Sequence, residues 1–211
     1  QETGRAGRDG GEGHCLAISS YKDIEKLEKF MAGKPIAEQE VGFALLNEMV
    51  AFAETSISRR KFILHYFGEE FDSENGDGAD MDDNMRYPKT KTEAADALKT
   101  LIQVVLDTHQ KYKSKEIVKT LEGSKNALIL SHKTHEKPFF GIGKESDAKY
   151  WMALLRQALV AGYFKKDIES YGVVKLTPKG EAFLDAPVSF LMTEDHDYLS
   201  KGTDELIVKT K

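Results

Sequence analysis

The side chains best suited to chemistry stand at the start of the chain. Arg5 and Arg8 lie three residues apart within residues 1–10, which also contain three glycines. A glycine-rich turn with this spacing places both guanidinium groups on one side of the backbone. Each guanidinium is a rigid fork of donors that binds phosphate oxygens bidentately. The pattern therefore predicts a phosphate site, typical of a protein that handles nucleotides.

The rest of an ATP site is missing from this sequence. No Gly-x-x-x-x-Gly-Lys-Ser/Thr phosphate loop occurs in the 211 residues, and such a loop is what cradles the phosphates of ATP in many motors. The chain alone is therefore not expected to hydrolyse ATP. We interpret it as the C-terminal part of a longer protein whose other parts complete the site.

Composition favours an ordered protein that is not embedded in a membrane. Hydrophobic residues make up 40% of the chain, enough for one or two compact domains. No apolar run of membrane-spanning length and no signal peptide is present. We expect no membrane partner and a cytoplasmic location, associated with the nucleoid in a bacterium. The single cysteine, Cys15, excludes an internal disulfide and fits a reducing compartment.

Charge is divided unevenly along the chain. Residues 1–88 carry a net charge of −8, residues 89–180 a net charge of +7, and residues 181–211 a net charge of −4. A basic block between acidic flanks is typical of a module that contacts phosphates, although solvated lysine-rich faces are also common.

The acidic first part reads as helices followed by a loop. Apolar residues recur at helical spacing in residues 21–31 and 38–67, with a break at Thr55 and Ser56, which predicts one helix and then a helical hairpin. Residues 68–84 are rich in Gly, Asp and Asn and predict a loop. The register of a calcium loop is absent. A solvated acidic loop is favoured, and a hard-cation site is the alternative.

The basic block has the element order of a winged helix. Helical periods occur in residues 92–110, 114–121 and 146–161, and two strand-like runs follow at 163–168 and 173–177. Three helices and a hairpin in this order predict a winged helix, in which the third helix faces DNA beside the wing. The predicted fold class is mostly α with a small β component: a helical hairpin subdomain followed by a winged-helix domain.

Two polar clusters lie at predicted helix starts, where free amides and the helix dipole favour phosphate. Both are candidate DNA contacts: Lys113, Ser114 and Lys115 at the second helix, and Lys144, Ser146 and Lys149 at the third. Trp151 falls in register with apolar residues of the third helix and is expected in the core rather than stacked on a base.

Three segments of the chain together resemble the RecQ family of DNA helicases. Residues 1–10 match the last motif of superfamily 2 helicases in its RecQ spelling. Arg59-Arg60 and residues 66–69, Tyr-Phe-Gly-Glu, match the RecQ region that follows the motor. The RecQ winged helix is matched by Gly141-Ile142-Gly143-Lys144, Trp151, Arg156-Gln157 and Leu176-Thr177-Pro178-Lys179-Gly180. The resemblance extends from residue 1 to about residue 190.

This resemblance implies an ATP-dependent DNA helicase that moves 3′ to 5′ in DNA repair or recombination, with ATP and Mg²⁺ held by the parent enzyme. Arg8 would act as an arginine finger on the γ-phosphate, with Arg5 beside it. The winged helix would bind duplex DNA and the junction between single and double strands. Tyr171, near the wing tip, is either a wedge that stacks on bases or an ordinary turn residue. The alternative is a stand-alone winged-helix module that binds DNA or recruits a partner without a motor.

RecQ proteins usually carry a four-cysteine zinc site in the loop region, and this chain departs from that pattern. The four ligand positions align with Ser58, Ala79, Asp82 and Met85. Alanine and methionine do not hold Zn²⁺, and two oxygen donors do not make a tetrahedral structural site, so we expect no zinc. Four segments are predicted: the end of the second helicase lobe at 1–19, a zinc-binding-like subdomain at 20–88, the winged helix at 89–192, and a polar tail or linker at 193–211.

Overall fold

The computed structural model describes residues 9–11, 13–18, 21–167, 170 and 172–197. The described residues up to Ala53 form one compact unit, and Glu54–His196 form a second. Among the described helices, none is long and apolar enough to span a bilayer.

The described residues of the first unit form two helices. Helix α1 spans Tyr21–Met31 and α2 spans Ile36–Glu54, and Pro35 stands directly before α2. Met31 is buried, and its sulfur lies 2.3 Å from the place where a Cβ on Gly42 of α2 would stand. The absence of a side chain at Gly42 is therefore what lets Met31 pack against α2. The predicted helices of residues 21–31 and 38–54 are both present.

The second unit opens with short helices and a long loop. Helix α3 spans Arg59–Tyr66, and after a loop α4 spans Asp83–Arg86. Ser58 caps α3 by accepting a hydrogen bond from the amide of Lys61 at 3.2 Å. The chain between α3 and α4 forms turns and bends without helix or strand, as its Gly, Asp and Asn content predicts.

Residues 92–192 form the winged helix. Its elements in chain order are β1 (Thr92–Glu93), α5 (Ala95–Asp107), α6 (Ser114–Glu122), α7 (Ala127–Ser131), a 3₁₀ turn (Thr134–Glu136), α8 (Ala148–Val160), β2 (Phe164–Asp167), β3 (Val173–Leu176), α9 (Pro178–Asp185) and β4 (Leu191–Met192). Strands β2 and β3 pair antiparallel, from Phe164 opposite Leu176 to Asp167 opposite Val173. The predicted fold class, mostly α with a small β component, is confirmed.

Helices α5, α6 and α8 surround one apolar core. Leu98, Leu101, Leu154 and Leu155 are fully buried in it, which is the outcome expected from their 3.6-residue spacing. Trp151 is also buried, and its indole N–H donates to the carbonyl of Gly143 at 2.8 Å. The ring therefore serves the core and is unavailable for stacking on a base.

Glu93 closes the winged helix by joining its two ends. Strand β1 pairs with β4, setting Glu93 opposite Leu191. The Glu93 carboxylate accepts hydrogen bonds from the amides of Ala94 and Ala95 at the start of α5, and from the amide of Phe190. The Ser189 hydroxyl donates to the same carboxylate, and these bonds hold the pKa of Glu93 below its usual value.

Residues 193–196, assigned from sequence to a polar tail, are instead packed into the second unit. The amide of Thr193 donates to the side-chain oxygen of Gln157 at 3.1 Å, and Gln157 donates back to the Thr193 carbonyl. The Arg156 guanidinium pairs with Asp195 at 2.9 Å and with Glu54 at 3.3 Å. The adjacent side chains Arg156 and Gln157 therefore bind the segment that follows β4. The polar residues of that segment predicted a tail, because polarity alone does not show which partners a side chain will find.

His196 completes this polar junction. Its Nε2 lies 2.8 Å from Oδ1 of Asn84, whose amide nitrogen already donates to the carbonyls of Thr55 and Ile57. Oδ1 must therefore accept, so Nε2 of His196 carries the proton. Burial, followed by the nearby charges of Lys89 and Arg59, lowers the pKa of His196 to about 4 from 6.5, while Asp83 acts in the opposite direction.

This pKa predicts a specific pH dependence of stability. Between pH 6.5 and about 4 the unfolded chain binds a proton at His196 that the folded chain does not, so the stabilisation by neutral His196 is complete above pH 6.5 and is lost as the pH falls towards 4. Urea unfolding of the parent chain and of His196→Gln across this range should show a stability difference that narrows on acidification. A difference that stays constant with pH would contradict the assignment. Because Asp195 titrates in both proteins, the difference isolates His196.

Candidate nucleic-acid interface

The start of α6 is the strongest candidate for a phosphate contact. Lys113 occupies the N-cap position in an extended conformation and makes no side-chain cap bond. The amides of Glu116 and Ile117 both donate to the Lys113 carbonyl at 3.1 Å. Within the described part of the chain, the amides of Ser114 and Lys115 have no such acceptor. Two exposed lysines therefore flank uncapped amides at the positive end of a helix, an arrangement that favours an anion.

The wing lies directly beside this helix start. The amide of Val174 on β3 donates to the carbonyl of buried Tyr112 at 2.9 Å, and Lys113 forms a bridge with Val173. Lys113 is consequently held at the edge of the hairpin. The α6 start and the wing therefore form one continuous surface.

The hairpin adds lysines that were not among the residues predicted from sequence. Lys165 on β2 stands opposite Lys175 on β3, and Lys165 is exposed. Lys175 pairs with Asp167, and this contact, with a hydrogen bond from Ser170, lowers the pKa of Asp167 to about 2. One lysine of the pair is thus neutralised, while Lys165 leaves positive charge on the wing. Side chains alternate between the two faces of a strand. The positions of Lys165 and Lys175 within the predicted hairpin are therefore the sequence signal that could have identified this pair.

The cluster at the start of α8 is less favourable than its sequence indicated. Asp147 caps this helix, and its carboxylate accepts the Tyr150 amide at 2.8 Å. A carboxylate therefore already occupies the positive helix end where phosphate was expected. Lys144 and Lys149 are exposed and Ser146 is partly exposed, so a phosphate bound by these side chains would lie beside an acidic cap.

Helix α8 has little exposed surface. Of its residues Ala148–Val160, Lys149 alone is exposed, and seven are buried. The helix contacts α3, α5, α6 and β2, and Arg156 and Gln157 bind residues 193–195. This burial does not favour the expectation that the third helix faces DNA, which stays a prediction. Most of its surface is occupied by packing, so the exposed lysines of the α6 start and the wing are the stronger candidates for phosphate contact.

Two protein-family models match adjacent parts of the chain. The RecQ zinc-binding model matches residues 21–83, and the RQC domain model matches residues 88–201. The second match alone covers more than half of the 211 residues. The chain belongs to the RecQ family. The resemblance seen in its sequence motifs is confirmed, and the protein is a RecQ C-terminal region.

Individual relatives agree with this assignment. The chain is 28% identical to ATP-dependent DNA helicase RecQ of Pasteurella multocida over 91% of its own length and 30% of that protein. It is 27% identical to the Haemophilus influenzae protein of the same name, over 87% and 29% respectively. A fission yeast relative, ATP-dependent DNA helicase hus2/rqh1, is 30% identical over 81% of the chain and 13% of that protein. The RecQ C-terminal region therefore spans less than a third of these relatives.

The donor set at the family's metal position does not fit zinc in this chain. Ser58 and Asp82 lie together, with the Ser58 hydroxyl donating to Asp82 at 3.0 Å. Ala79 has no donor atom in its side chain, and Met85 has only a weakly coordinating thioether. Among the described residues, no group of three or more His, Cys, Asp or Glu side chains is placed to hold a metal.

Three residues predicted from the sequence lie outside the described part of the structure. Arg5, Arg8 and Tyr171 keep the roles assigned to them by resemblance as predictions. Of the remaining candidates, Lys113, Ser114 and Lys115 are adjacent to the wing, whereas Lys144, Ser146 and Lys149 share their helix end with Asp147.

The two lysine clusters can be ranked by substitution. A Lys113→Gln/Lys115→Gln variant should weaken duplex binding and reduce the slope of log affinity against log salt by about 0.9 for each phosphate that is no longer bound. Lys144→Gln/Lys149→Gln removes the same charge and should have a smaller effect, because Asp147 opposes an anion there. Fluorescence anisotropy over a salt series measures both, and Lys99→Gln, an exposed lysine of α5, is the control. Equal reductions in the two double variants would refute the ranking.

Proposed function

We propose that this RecQ C-terminal region is the DNA-binding part of an ATP-dependent DNA helicase that moves 3′ to 5′ in repair or recombination. The observation that carries the proposal is the consecutive match of the RecQ zinc-binding and RQC models across residues 21–83 and 88–201. The basic surface formed by the α6 start and the wing supports it, because phosphate contacts supply most of the affinity of proteins that bind DNA without reading its sequence.

In the parent enzyme, Arg8 would act as the arginine finger and Arg5 would stand beside it. ATP and Mg²⁺ would be bound mainly by residues outside this chain, since no phosphate loop occurs in its sequence. A finger of this kind stabilises the charge that develops on the transferred phosphoryl group. The role of this chain in the cycle would then be to hold DNA while the motor moves.

We propose further that the region holds no zinc. The RecQ zinc-binding model matches residues 21–83 in spite of the replaced ligands, so the similarity extends to the surrounding helices. The support comes from chemistry: one alanine, one thioether and two oxygen donors do not form a tetrahedral structural zinc site.

The winged helix is proposed to bind duplex DNA and the junction of a fork. The purified chain should bind forked and duplex oligonucleotides of unrelated sequence with similar affinity. That affinity should fall linearly with salt on a log–log plot, because bound phosphates release counterions. Anisotropy titrations between about 50 and 200 mM salt test this. Binding that is absent or insensitive to salt would instead favour a module that recruits a protein partner.

Tyr171 is proposed as the residue that separates strands at the fork. It lies in sequence between β2 and β3, next to Gly172, whose φ of +83° turns the backbone at the end of the connection. In a helicase carrying this chain, Tyr171→Phe should keep the unwinding rate because the ring remains, whereas Tyr171→Ala should lower it with ATP hydrolysis unchanged, since stacking requires a planar ring. Unwinding of a forked duplex measures this. An alanine variant that unwinds at the parental rate would exclude the wedge.

A further inference from the structure

The RecQ zinc site joins two segments of this region: one ligand position stands before α3, and the other three lie in the loop that leads to α4 and in α4 itself. We infer that the carboxylate of Asp82 makes this connection in place of the metal, so that the start of α3 and the end of the loop are held together by hydrogen bonds. The inference rests on the zinc-free state proposed above and adds the group that replaces the metal.

Asp82 contacts both segments at once. Its Oδ2 accepts the Ser58 hydroxyl and the Arg59 amide, each at 3.0 Å, and its Oδ1 accepts the Met85 amide at 3.1 Å. Three of the four former ligand positions, 58, 82 and 85, therefore meet at one carboxylate. Hydrogen bonds to an ionised acceptor are stronger than neutral ones, which suits a group that holds two segments together.

The partner hydroxyl is itself fixed. Ser58 is 2% exposed, and while its hydroxyl donates to Asp82 it also accepts the Lys61 amide at 3.2 Å. The ligands of structural zinc sites are thiolates, neutral imidazoles and carboxylates. The hydroxyl of Ser58 is instead committed to capping α3 and to binding Asp82.

The two residues after Asp82 reinforce the same connection. Asp83 pairs with the Arg59 guanidinium through two hydrogen bonds, which hold the pKa of its carboxyl below the usual value. Buried Asn84 donates to the carbonyls of Thr55 and Ile57 at 2.7 and 2.8 Å. Three consecutive side chains, at positions 82–84, therefore bind residues 55–59.

The remaining ligand position is Ala79, whose side chain has no donor atom. At this position the loop is held by the contacts of a neighbouring side chain, Arg60. The Arg60 guanidinium lies 4.9 Å from the centre of the Phe71 ring and donates to the sulfur of Met81 at 3.7 Å. Arg60 thus contacts the loop on both sides of Ala79. The cation over the aromatic ring and the sulfur contact fix the loop without an ion.

The decisive comparison is Asp82→Asn against Asp80→Asn in the purified chain. Asp80 carries the same charge two residues away and is exposed. In Asp82→Asn an NH₂ group replaces one of the two carboxylate oxygens, and both of these oxygens accept hydrogen bonds. The NH₂ group is itself a donor, so it cannot accept the bonds that the lost oxygen accepted. We expect the Tm of Asp82→Asn to fall by about 5 °C, and that of Asp80→Asn to stay within about 1 °C of the parent.

Ser58→Ala gives a second, milder measurement in case Asp82→Asn fails to fold. It should lower the Tm, and adding Asp82→Asn to it should cost less than Asp82→Asn costs in the parent, because the two residues share a bond. A folding failure of Asp82→Asn beside a folded Asp80→Asn counts as loss of the connection.

Metal content separates the two proposals. Chain purified from zinc-supplemented medium should contain far less than one zinc per chain by mass spectrometry, and a chelator should leave its Tm unchanged. One zinc per chain with a chelator-sensitive Tm would overturn the zinc-free state and the inference with it. Little zinc together with equal Tm values for Asp82→Asn and Asp80→Asn would overturn the role of Asp82 alone.

Discussion

The burial of helix α8 among α3, α5, α6 and β2 is the constraint on which the rest of the second unit depends. Its apolar residues fill the space between α5 and α6, and its polar pair Arg156 and Gln157 binds the segment after β4. A partly buried arginine such as Arg156 needs partners, because an unpaired charge away from water is costly. Glu54 and Asp195 provide them, although burial still raises the pKa of Asp195 above its usual value in spite of Arg156.

This burial also limits which elements could contact the DNA proposed above. A recognition helix must offer several exposed side chains to a groove, and α8 offers Lys149 alone. Exposed positive charge near the wing includes Lys113 and Lys115 at the uncapped start of α6 and Lys165 of the wing itself. These groups suit phosphates, which are the same in every sequence. For the proposed DNA binding, this distribution of charge favours contacts to the DNA backbone over the reading of bases.

The sequence predicted the elements whose pattern is local and repeated. Helices α5, α6 and α8 and the β2–β3 hairpin follow from apolar spacing at periods of 3.6 and 2. It did not predict α7, which has five residues and is therefore too short for a clear period, or α9, which begins at Pro178 in a segment interpreted only as a closing motif. The Asp147 cap was not predicted either, because one acidic residue among lysines and a serine does not by itself show which side chain caps the helix.

Long-range polar contacts were the least predictable part, and the tail shows why. Thr193, Asp195 and His196 read as a polar linker, yet Thr193 is buried and each of the three binds a residue more than 35 positions away. Polar side chains are buried only where they find hydrogen-bond partners, and those partners, Gln157, Arg156 and Asn84, carry no mark in the sequence. The same holds at Asp82, whose carboxylate reads as one acid among many in an acidic loop. Its structural role follows from its position opposite Ser58 and the Arg59 amide, a relation that only the folded chain creates.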